Sequence, residues 1–158
     1  MLARNREKFS GLGVKVLAPS EETAHICFDK FLMFQYLKSK NISTVSTWEN
    51  LESFESALSN KEIKFPVFVK PRTGSGSVGA KKVINNEQLV EIIKNNSDYI
   101  IQEFMSGSDI DVDVYVDNVT HEVVSAFSKI KIETRIGGAS KTDSFKDYKL
   151  FDLITEIV

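Results

Sequence analysis

The stretch from Phe65 to Gly79 carries the residues best suited to chemistry. An apolar, β-branched run ends in one lysine, Lys70, and leads into a loop with glycines at 74, 76 and 79. A lysine is rarely buried without a partner, so an ammonium group closing an apolar strand indicates an anionic partner. Glycines allow positive φ angles and let backbone N–H groups approach phosphate oxygens closely. The combination predicts a site for a nucleoside triphosphate.

Two known phosphate-binding patterns can be compared with this loop. Its glycines have the GxGxxG spacing of a dinucleotide-binding loop, but that pattern must lead directly into a helix. The residues that follow, Ala80 to Ile84, are typical of a short strand, which argues against a dinucleotide-binding oxidoreductase. The Walker pattern fails because Ala80, and not a lysine, follows Gly79. A strand–loop–strand flap over phosphates is favoured, and a flexible hairpin tip without a ligand is the alternative.

A second group of polar residues lies at the end of an apolar strand over residues 98–104. Backbone N–H and C=O groups at such a strand end can bind a purine. The carboxylates of Glu103 and Asp109, on either side of Gly107, can accept hydrogen bonds from ribose hydroxyls. Without a ligand, the same residues form an ordinary strand end.

Four cations, Lys129, Lys131, Arg135 and Lys141, lie within thirteen residues. Fixed cations could neutralise the charge of a triphosphate or of a transferred phosphoryl group. A polar strand face followed by a mobile loop explains them equally well. The alternating aspartates of the preceding strand are better explained as a solvated sheet face than as metal ligands.

Secondary-structure elements of both kinds are needed to position these residues. Apolar periodicity predicts helices over 21–40, 49–59, from Asn85 or Asn86 onwards, and through 150–157. Strands are predicted at 14–18, 67–70, 80–84, 98–104, 109–116 and 122–133, with a loop over 135–142. The order predicts a mixed α/β (α+β) chain with mostly antiparallel pairing around the glycine loop.

Composition narrows the class of protein. The 158 residues are 42% hydrophobic and 27% charged, and the net charge is −2, so no basic field for nucleic acid exists. One cysteine excludes an internal disulfide. No apolar run reaches the roughly 20 residues that cross a bilayer, and no signal-peptide core opens the chain. We therefore expect a cytoplasmic protein with neither a membrane nor a nucleic-acid partner.

Taken in order, the motifs resemble those of the ATP-grasp superfamily, particularly carbamoyl-phosphate synthase large-chain-like proteins. Asp29-Lys30 resembles an early Asp-Lys/Arg pair whose basic side chain reaches the nucleotide phosphates. Lys70 is similar to the strand lysine that contacts the α-phosphate and the adenine side. The residues that resemble the mobile loop over the triphosphate are Thr73, Gly74, Ser75, Gly76, Ser77, Val78 and Gly79.

The later motifs continue the resemblance. The sequence Gln-Glu-Phe-Met resembles the hinge that holds adenine, which implies contacts from Glu103, Phe104 and Met105. Asp109 stands where a ribose-binding acid is usual. A segment near the phosphates and the acyl acceptor is similar to the sequence around Arg135, and the resemblance implies a catalytic role for that arginine.

The resemblance implies an ATP-grasp fold, a mostly antiparallel sheet flanked by helices. Residues 1–20 would end a preceding domain, and 21–158 would form the ATP-grasp domain, with 45–105 as its small nucleotide-binding subdomain. We expect the chain to stop before the strands that carry the magnesium ligands, so it supplies no metal ligand itself. The C-terminal part of the domain would then be missing.

The resemblance also implies an activity. The parent protein would be an ATP- and Mg²⁺-dependent ligase in which a carboxylate substrate becomes an acyl-phosphate that an amine or ammonia displaces. The full-length protein could form a homodimer. The chain alone would bind nucleotide weakly without turnover. A non-catalytic nucleotide-binding sensor or interaction module is the alternative.

Overall fold

The computed structural model describes residues 2–96, 98–117, 119–135 and 138–157. The chain divides into two compact units. The first unit contains residues 1–74 and 80–104, and the second contains residues 75–79 and 105–158. Among the described residues, no helix is long and apolar enough to cross a membrane.

Helices and strands alternate irregularly along the chain. After a 3-10 turn at Ala3–Asn5, the helices are α1 (Arg6–Gly11), α2 (Glu21–Phe28), α3 (Lys30–Ser39), α4 (Leu51–Ser59), α5 (Asn86–Lys94) and α6 (Tyr148–Ile157). The strands are β1 (Thr47–Trp48), β2 (Val67–Pro71), β3 (Lys81–Val83), β4 (Tyr99–Glu103), β5 (Ile110–Val116), β6 (Val123–Arg135) and β7 (Gly138–Phe145). The predicted mixed α/β fold with antiparallel sheets is confirmed.

The first unit contains a four-stranded sheet with the order β1-β4-β2-β3, and each neighbouring pair is antiparallel. Successive side chains in a strand point to opposite faces. One face carries Val67, Val69, Val83 and Ile101, which form the core of this unit with residues of α4 and α5. The opposite face is therefore left to the alternate residues of the same strands.

Short helices cover the apolar face. The side chains of Asn50 and Asn85 cap α4 and α5 by accepting the backbone N–H groups of Ser53 and Gln88. Such a cap stabilises a helix by about 1 kcal/mol. From α4, the fully buried ring of Phe54 enters the core. The caps and this apolar stripe explain why the helix predicted over 49–59 forms.

The second unit contains the antiparallel sheet β5-β6-β7. Its register places Asp111 opposite Lys129 and Ile110 opposite Ile130, so acidic residues of β5 meet basic residues of β6 on one face. The alternation predicted for residues 109–116 is confirmed by this pairing.

Three predicted elements are wrong. The helix expected over 21–40 is broken at Asp29, whose backbone is extended (φ −100°, ψ 109°) because its side chain caps α3. The strand expected at 14–18 pairs with no described strand, which leaves Leu17 75% exposed. The loop expected over 135–142 is largely β7. Pairing with β6 gives its backbone N–H and C=O groups hydrogen-bond partners, and this does not depend on which side chains it carries. Residues 136 and 137 of that segment lie outside the described residues.

Candidate nucleotide-binding site

The face of the first sheet opposite the core carries two lysines. Phe68 lies opposite both Lys82 of β3 and Gln102 of β4, and Lys70 lies opposite Ile100. Because the register fixes which side chains share a face, these five residues form one surface, here called the lysine face. Ile100 is fully buried there, while both lysines retain exposed area. The lysine face therefore combines an apolar floor with two ammonium groups.

Lys70 is a partly buried cation beside a second cation. Its pKa is lowered, first by burial and then by the positive charge of Lys30. Its Nζ lies 5.9 Å from the ring centroid of Phe68. In the described parts of the chain, no carboxylate oxygen lies within 4 Å of the Nζ of Lys30, Lys70 or Lys82. A bound anion would relieve both causes of the lowered pKa, because it would solvate and neutralise the amine.

Lys30 is the first residue of α3, and its amine lies at the base of the glycine loop. Its Nζ donates hydrogen bonds to the carbonyl oxygens of Gly74 at 2.9 Å and Arg72 at 3.4 Å. Its backbone N–H also donates to the Arg72 carbonyl at 3.0 Å. The structure thus brings the two predicted phosphate-binding lysines together in one unit.

The glycine loop connects β2 to β3 without an intervening helix, as the sequence predicts. Gly74 has φ +92°, Gly76 +71°, Ser77 +58° and Gly79 +76°. A Cβ added at Gly74 would meet nothing within 4 Å, so this glycine is required for its backbone angle and not for space. Thr73 is partly buried at the loop base, with Oγ1 3.5 Å from Asp98 Oδ2. Ser75 and Val78 are exposed.

The predicted adenine hinge begins at the end of β4. Glu103 lies opposite Val67, and its backbone N–H donates to the Ser46 carbonyl at 3.0 Å. The ring of Phe104 lies 4.2 Å from the Nζ of Lys82, a cation–π contact. Met105 begins the segment assigned to the second unit and is 64% exposed. The nucleotide contacts assigned to these residues stay predictions.

In the second unit, the basic residues of β6 are largely paired. Lys131 Nζ lies 3.0 Å from carboxylate oxygens of both Asp109 and Asp111, and Lys129 pairs with Asp113 at 2.5 Å. These five residues are here called the charge ladder. Hydrogen bonds to Asp111 and Asp109 raise the pKa of Lys131. For these two lysines, the pairing favours the polar strand face over a phosphate site, and the ribose role of Asp109 stays a prediction.

Two other predicted cations have different surroundings. Arg135 ends β6 as an exposed residue, opposite Gly138 in the register of β7. Lys141 is exposed on β7, opposite Glu133. The catalytic role of Arg135 stays a prediction. No three His, Cys, Asp or Glu side chains of the described residues gather closely enough to hold a metal ion.

Sequence reasoning missed two residues at this site. Lys82 was not selected because only the β2–β3 register places it opposite Phe68. Arg72 was not selected although it follows Lys70-Pro71 directly; its Nε lies 2.7 Å from Asp29 Oδ2, and its Nη1 pairs with Glu49. Counting across the predicted hairpin could have found Lys82. No local signal could have found the partners of Arg72, which lie 43 and 23 residues away.

Comparison with known proteins gives a consistent result. A curated relative, D-alanine–D-alanine ligase B from Clostridium perfringens, is 34% identical over 99 residues, which are 59% of this chain and 32% of that protein. The chain thus spans about a third of the length of the curated relatives it matches. This similarity does not specifically support the carbamoyl-phosphate synthase subfamily.

Solved structures share the fold. The biotin carboxylase domain of 2-oxoglutarate carboxylase from Hydrogenobacter thermophilus, solved with MgADP and bicarbonate, has a TM-score of 0.74 at 18% identity, covering 98% of this chain and 39% of that one. D-alanine–D-alanine ligase from Bacillus anthracis, solved with ATP, has a TM-score of 0.63 at 18% identity, covering 98% and 53%. At such identities the likeness concerns the fold alone, and it confirms the ATP-grasp fold.

A sequence model of one family matches a long continuous part of the chain. Its description is D-ala D-ala ligase C-terminus, and the match runs over residues 32–149. That range includes Lys70, the glycine loop and the whole four-stranded sheet of the first unit. Because the match covers well over half of the 158 residues, this ATP-grasp chain belongs to the D-ala D-ala ligase C-terminus family.

Proposed function

We propose that this chain is the nucleotide-binding part of an ATP-dependent ligase that joins a carboxylate to an amine or ammonia. The observation that carries the proposal is the pair Lys30 and Lys70. The Lys30 amine lies at the base of the glycine loop, its positive charge lowers the pKa of Lys70, and neither amine has a carboxylate partner among the described residues. Unpaired cations beside a glycine loop are suited to a polyphosphate.

Within the first unit, Lys30 and Lys70 would hold the phosphates, with Thr73 and Gly74 at the base of the glycine loop beside Lys30. Residues 75–79 of that loop are assigned to the second unit, and their contact with the phosphates is proposed from the motif alone. Glu103 and Phe104 at the end of β4 would hold the adenine. On the lysine face, the partly exposed ring of Phe68 suits a purine ring better than it suits water.

The second unit contributes by motif alone. Asp109 is proposed for the ribose hydroxyls and Met105 for the adenine edge, each because it matches the motif named above. Arg135 is proposed to stabilise the transferred phosphoryl charge, since it is the exposed cation at the end of β6.

The proposed reaction has two steps. A carboxylate oxygen attacks the γ-phosphorus of ATP, the bond to the β-phosphate oxygen breaks, and ADP leaves. The nitrogen of the amine then attacks the carbonyl carbon of the acyl-phosphate, loses a proton and expels inorganic phosphate. A closed glycine loop would exclude water, which otherwise hydrolyses the acyl-phosphate.

The proposed reaction would also involve Mg²⁺, for which the chain must be searched for ligands. Mg²⁺ neutralises phosphate charge in such reactions when it is bound. It prefers carboxylate and other oxygen ligands, and the described residues offer no cluster of three candidate side chains. Ligands for it would therefore have to come from outside the described residues.

For the substrate, we propose an amino acid carboxylate such as that of D-alanine. The support is the 34% identity with an enzyme named D-alanine–D-alanine ligase B. Carbamoyl-phosphate synthase-like chemistry, in which bicarbonate and ammonia are the substrates, is the alternative within the same reaction class. A homodimer of the full-length protein and a cytoplasmic location complete the proposal.

The test measures ADP release by a protein of the relatives' length that contains this chain. The panel pairs D-alanine, L-amino acids or bicarbonate with an amine or ammonia. ADP release that depends on D-alanine supports the proposed substrate. ADP release that depends on bicarbonate and ammonia supports the carbamoyl-phosphate synthase-like alternative. ATP binding without ADP release for any pair of substrates would contradict the ligase function and support a nucleotide-binding sensor module.

The 158-residue chain gives a second test. Calorimetric titration should show weak ATP binding and no turnover. Tight magnesium-dependent binding would contradict the expectation that the metal ligands lie outside the chain.

A further inference from the structure

Arg72 lies where β2 passes into the glycine loop, and its side chain contacts three other residues. Its Nε donates to Asp29 Oδ2 at 2.7 Å, and its Nη1 donates to Glu49 Oε1. Its guanidinium carbon lies 5.4 Å from the ring centroid of Phe31. The side chain is 25% exposed, and that of Asp29 is 12% exposed. This fork geometry suits arginine and would not suit lysine.

Asp29 performs a second task with its other oxygen. Oδ1 accepts the backbone N–H groups of Phe31 at 2.9 Å and Leu32 at 3.1 Å, which caps α3. Burial alone would raise the pKa of Asp29, but hydrogen bonds from Leu32, Arg72 and Phe31 outweigh it and lower the pKa. The carboxylate is therefore charged, hydrogen-bonded at both oxygens, and held by Arg72.

The backbone of Arg72 also holds Lys30 in place by hydrogen bonds. The Arg72 carbonyl accepts both the backbone N–H and the Nζ of Lys30. The Arg72 backbone N–H donates to the carbonyl of Asp98 at 2.9 Å, which ties the loop base to the start of β4. Side chain and main chain of one residue thus set where α3 begins relative to β2.

The charge arrangement has a consequence for the lysines. Asp29 is adjacent to Lys30 in the chain, yet its carboxylate pairs with Arg72 and not with that lysine. Glu49 is held in the same way. Both carboxylates are therefore engaged by Arg72, and neither pairs with Lys30 or Lys70, whose amines are close enough for the charge of Lys30 to lower the pKa of Lys70.

We propose, resting on the proposed function, that Arg72 is a positioning residue for nucleotide phosphates. It occupies Asp29 and Glu49 and holds the start of α3 against the loop base, so the amines of Lys30 and Lys70 stay available to a polyphosphate. The nucleoside part of the ligand does not need this arrangement. Loss of Arg72 should therefore affect phosphate recognition far more than recognition of adenosine.

The test compares dissociation constants for ATP and adenosine, measured by chemical-shift titration of the 158-residue chain. In Arg72→Met, Asp29 becomes free to neutralise Lys30, so we expect ATP affinity to fall about tenfold and adenosine affinity to change less than twofold. In Arg72→Met with Asp29→Asn, that neutralising charge is gone, so part of the ATP affinity should return. A merely structural role predicts equal losses for both ligands.

Arg72→Lys serves as the matched control and also covers the case in which Arg72→Met does not fold. Lysine can pair with only one carboxylate at a time, so ATP affinity should fall about threefold while adenosine affinity stays unchanged. Equal losses for ATP and adenosine in either variant, or no loss in either, would overturn the positioning role. A wild-type chain that binds adenosine and ATP equally would overturn the proposed phosphate site itself, together with this inference.

Discussion

Lysines occur in two contrasting settings in this protein. In the charge ladder of the second unit, Lys129 and Lys131 lie within 3.0 Å of aspartate oxygens. In the first unit, Lys30, Lys70 and Lys82 have no carboxylate within 4 Å among the described residues. The same residue type therefore serves surface pairing in one unit and leaves uncompensated positive charge in the other.

The difference teaches how to separate structural from functional cations. An exposed ion pair contributes only about 0–1 kcal/mol and is satisfied without a ligand. A partly buried, unpaired ammonium group costs free energy in the folded chain, so its presence indicates selection for something other than stability. The predictions below test this contrast, in order of expected effect.

The largest effect is expected for Lys70→Met. Removing the partly buried cation should lower ATP affinity by roughly 10- to 100-fold, the range for a lost hydrogen bond to a charged group. The free energy of unfolding without nucleotide should stay the same or rise, because an unpaired charge is removed. Calorimetric titration and thermal denaturation measure the two quantities. Lys129→Met is the matched control and should leave ATP affinity unchanged; a similar loss there would erase the contrast.

Gly74→Ala should have the next largest effect. With φ at +92° and no atom near a new Cβ, the cost is backbone strain of about 1–2 kcal/mol. We expect a correspondingly lower free energy of unfolding and a roughly fivefold weaker affinity for ATP. Gly11→Ala is the control, because that glycine also has open space but lies in α1 without a positive φ. If both variants behave alike, the loop backbone has no special role.

A smaller effect is expected from pH. The pKa of Lys70 lies below its ordinary value of 10.5, so between the two values the unfolded chain binds more protons than the folded chain. Stability from this group should therefore rise with pH across that window, relative to Lys70→Met. A bound polyphosphate favours the charged amine. ATP affinity should therefore fall as the pH rises through that window, and Lys70 should take up a proton when ATP binds.

Calorimetry in two buffers with different ionisation enthalpies measures that proton uptake. In wild type, the binding enthalpy should differ between the two buffers, and in Lys70→Met that difference should be absent. Identical proton uptake in the variant would assign the titration to another group.

The smallest effect is expected in the charge ladder. Lys131→Met should lower the free energy of unfolding by about 1 kcal/mol or less, because Asp109 and Asp111 then lose their shared partner. Chemical denaturation should show the loss shrinking in high salt, which screens exposed charges. ATP affinity should not change. A large loss of ATP affinity would indicate that β6 does contribute cations to the nucleotide.

Local patterns predicted much of the fold because they encode local physics. The apolar periodicity of α4, the Asn85 cap of α5, the apolar run of β2 and the alternation of β5 each act within a few residues, and each element formed. The prediction failed where a contact distant in sequence decides the outcome. Polar residues 138–145 became β7 because β6 supplies backbone partners. One failure was local: the helix over 21–40 broke because the Asp29 side chain caps α3 at the backbone N–H groups of Phe31 and Leu32.

The candidate site shows the same division. Residue type and spacing selected Lys70 and the glycine loop, since residue type and backbone freedom are local properties, and the resemblance to ATP-grasp motifs added Lys30. It did not single out Lys82, because the strand register is what places that lysine on the same face as Lys70. It also gave no sign that Lys129 and Lys131 would be paired across β5 and β6.

By itself, the amino-acid order determined which residues are able to hold phosphates and that a strand, a flexible turn and another strand succeed one another. Only the tertiary structure decided which of the cations are already neutralised. Ion pairing depends on distances of a few ångströms between side chains far apart along the chain, and those distances do not exist until the sheets have formed.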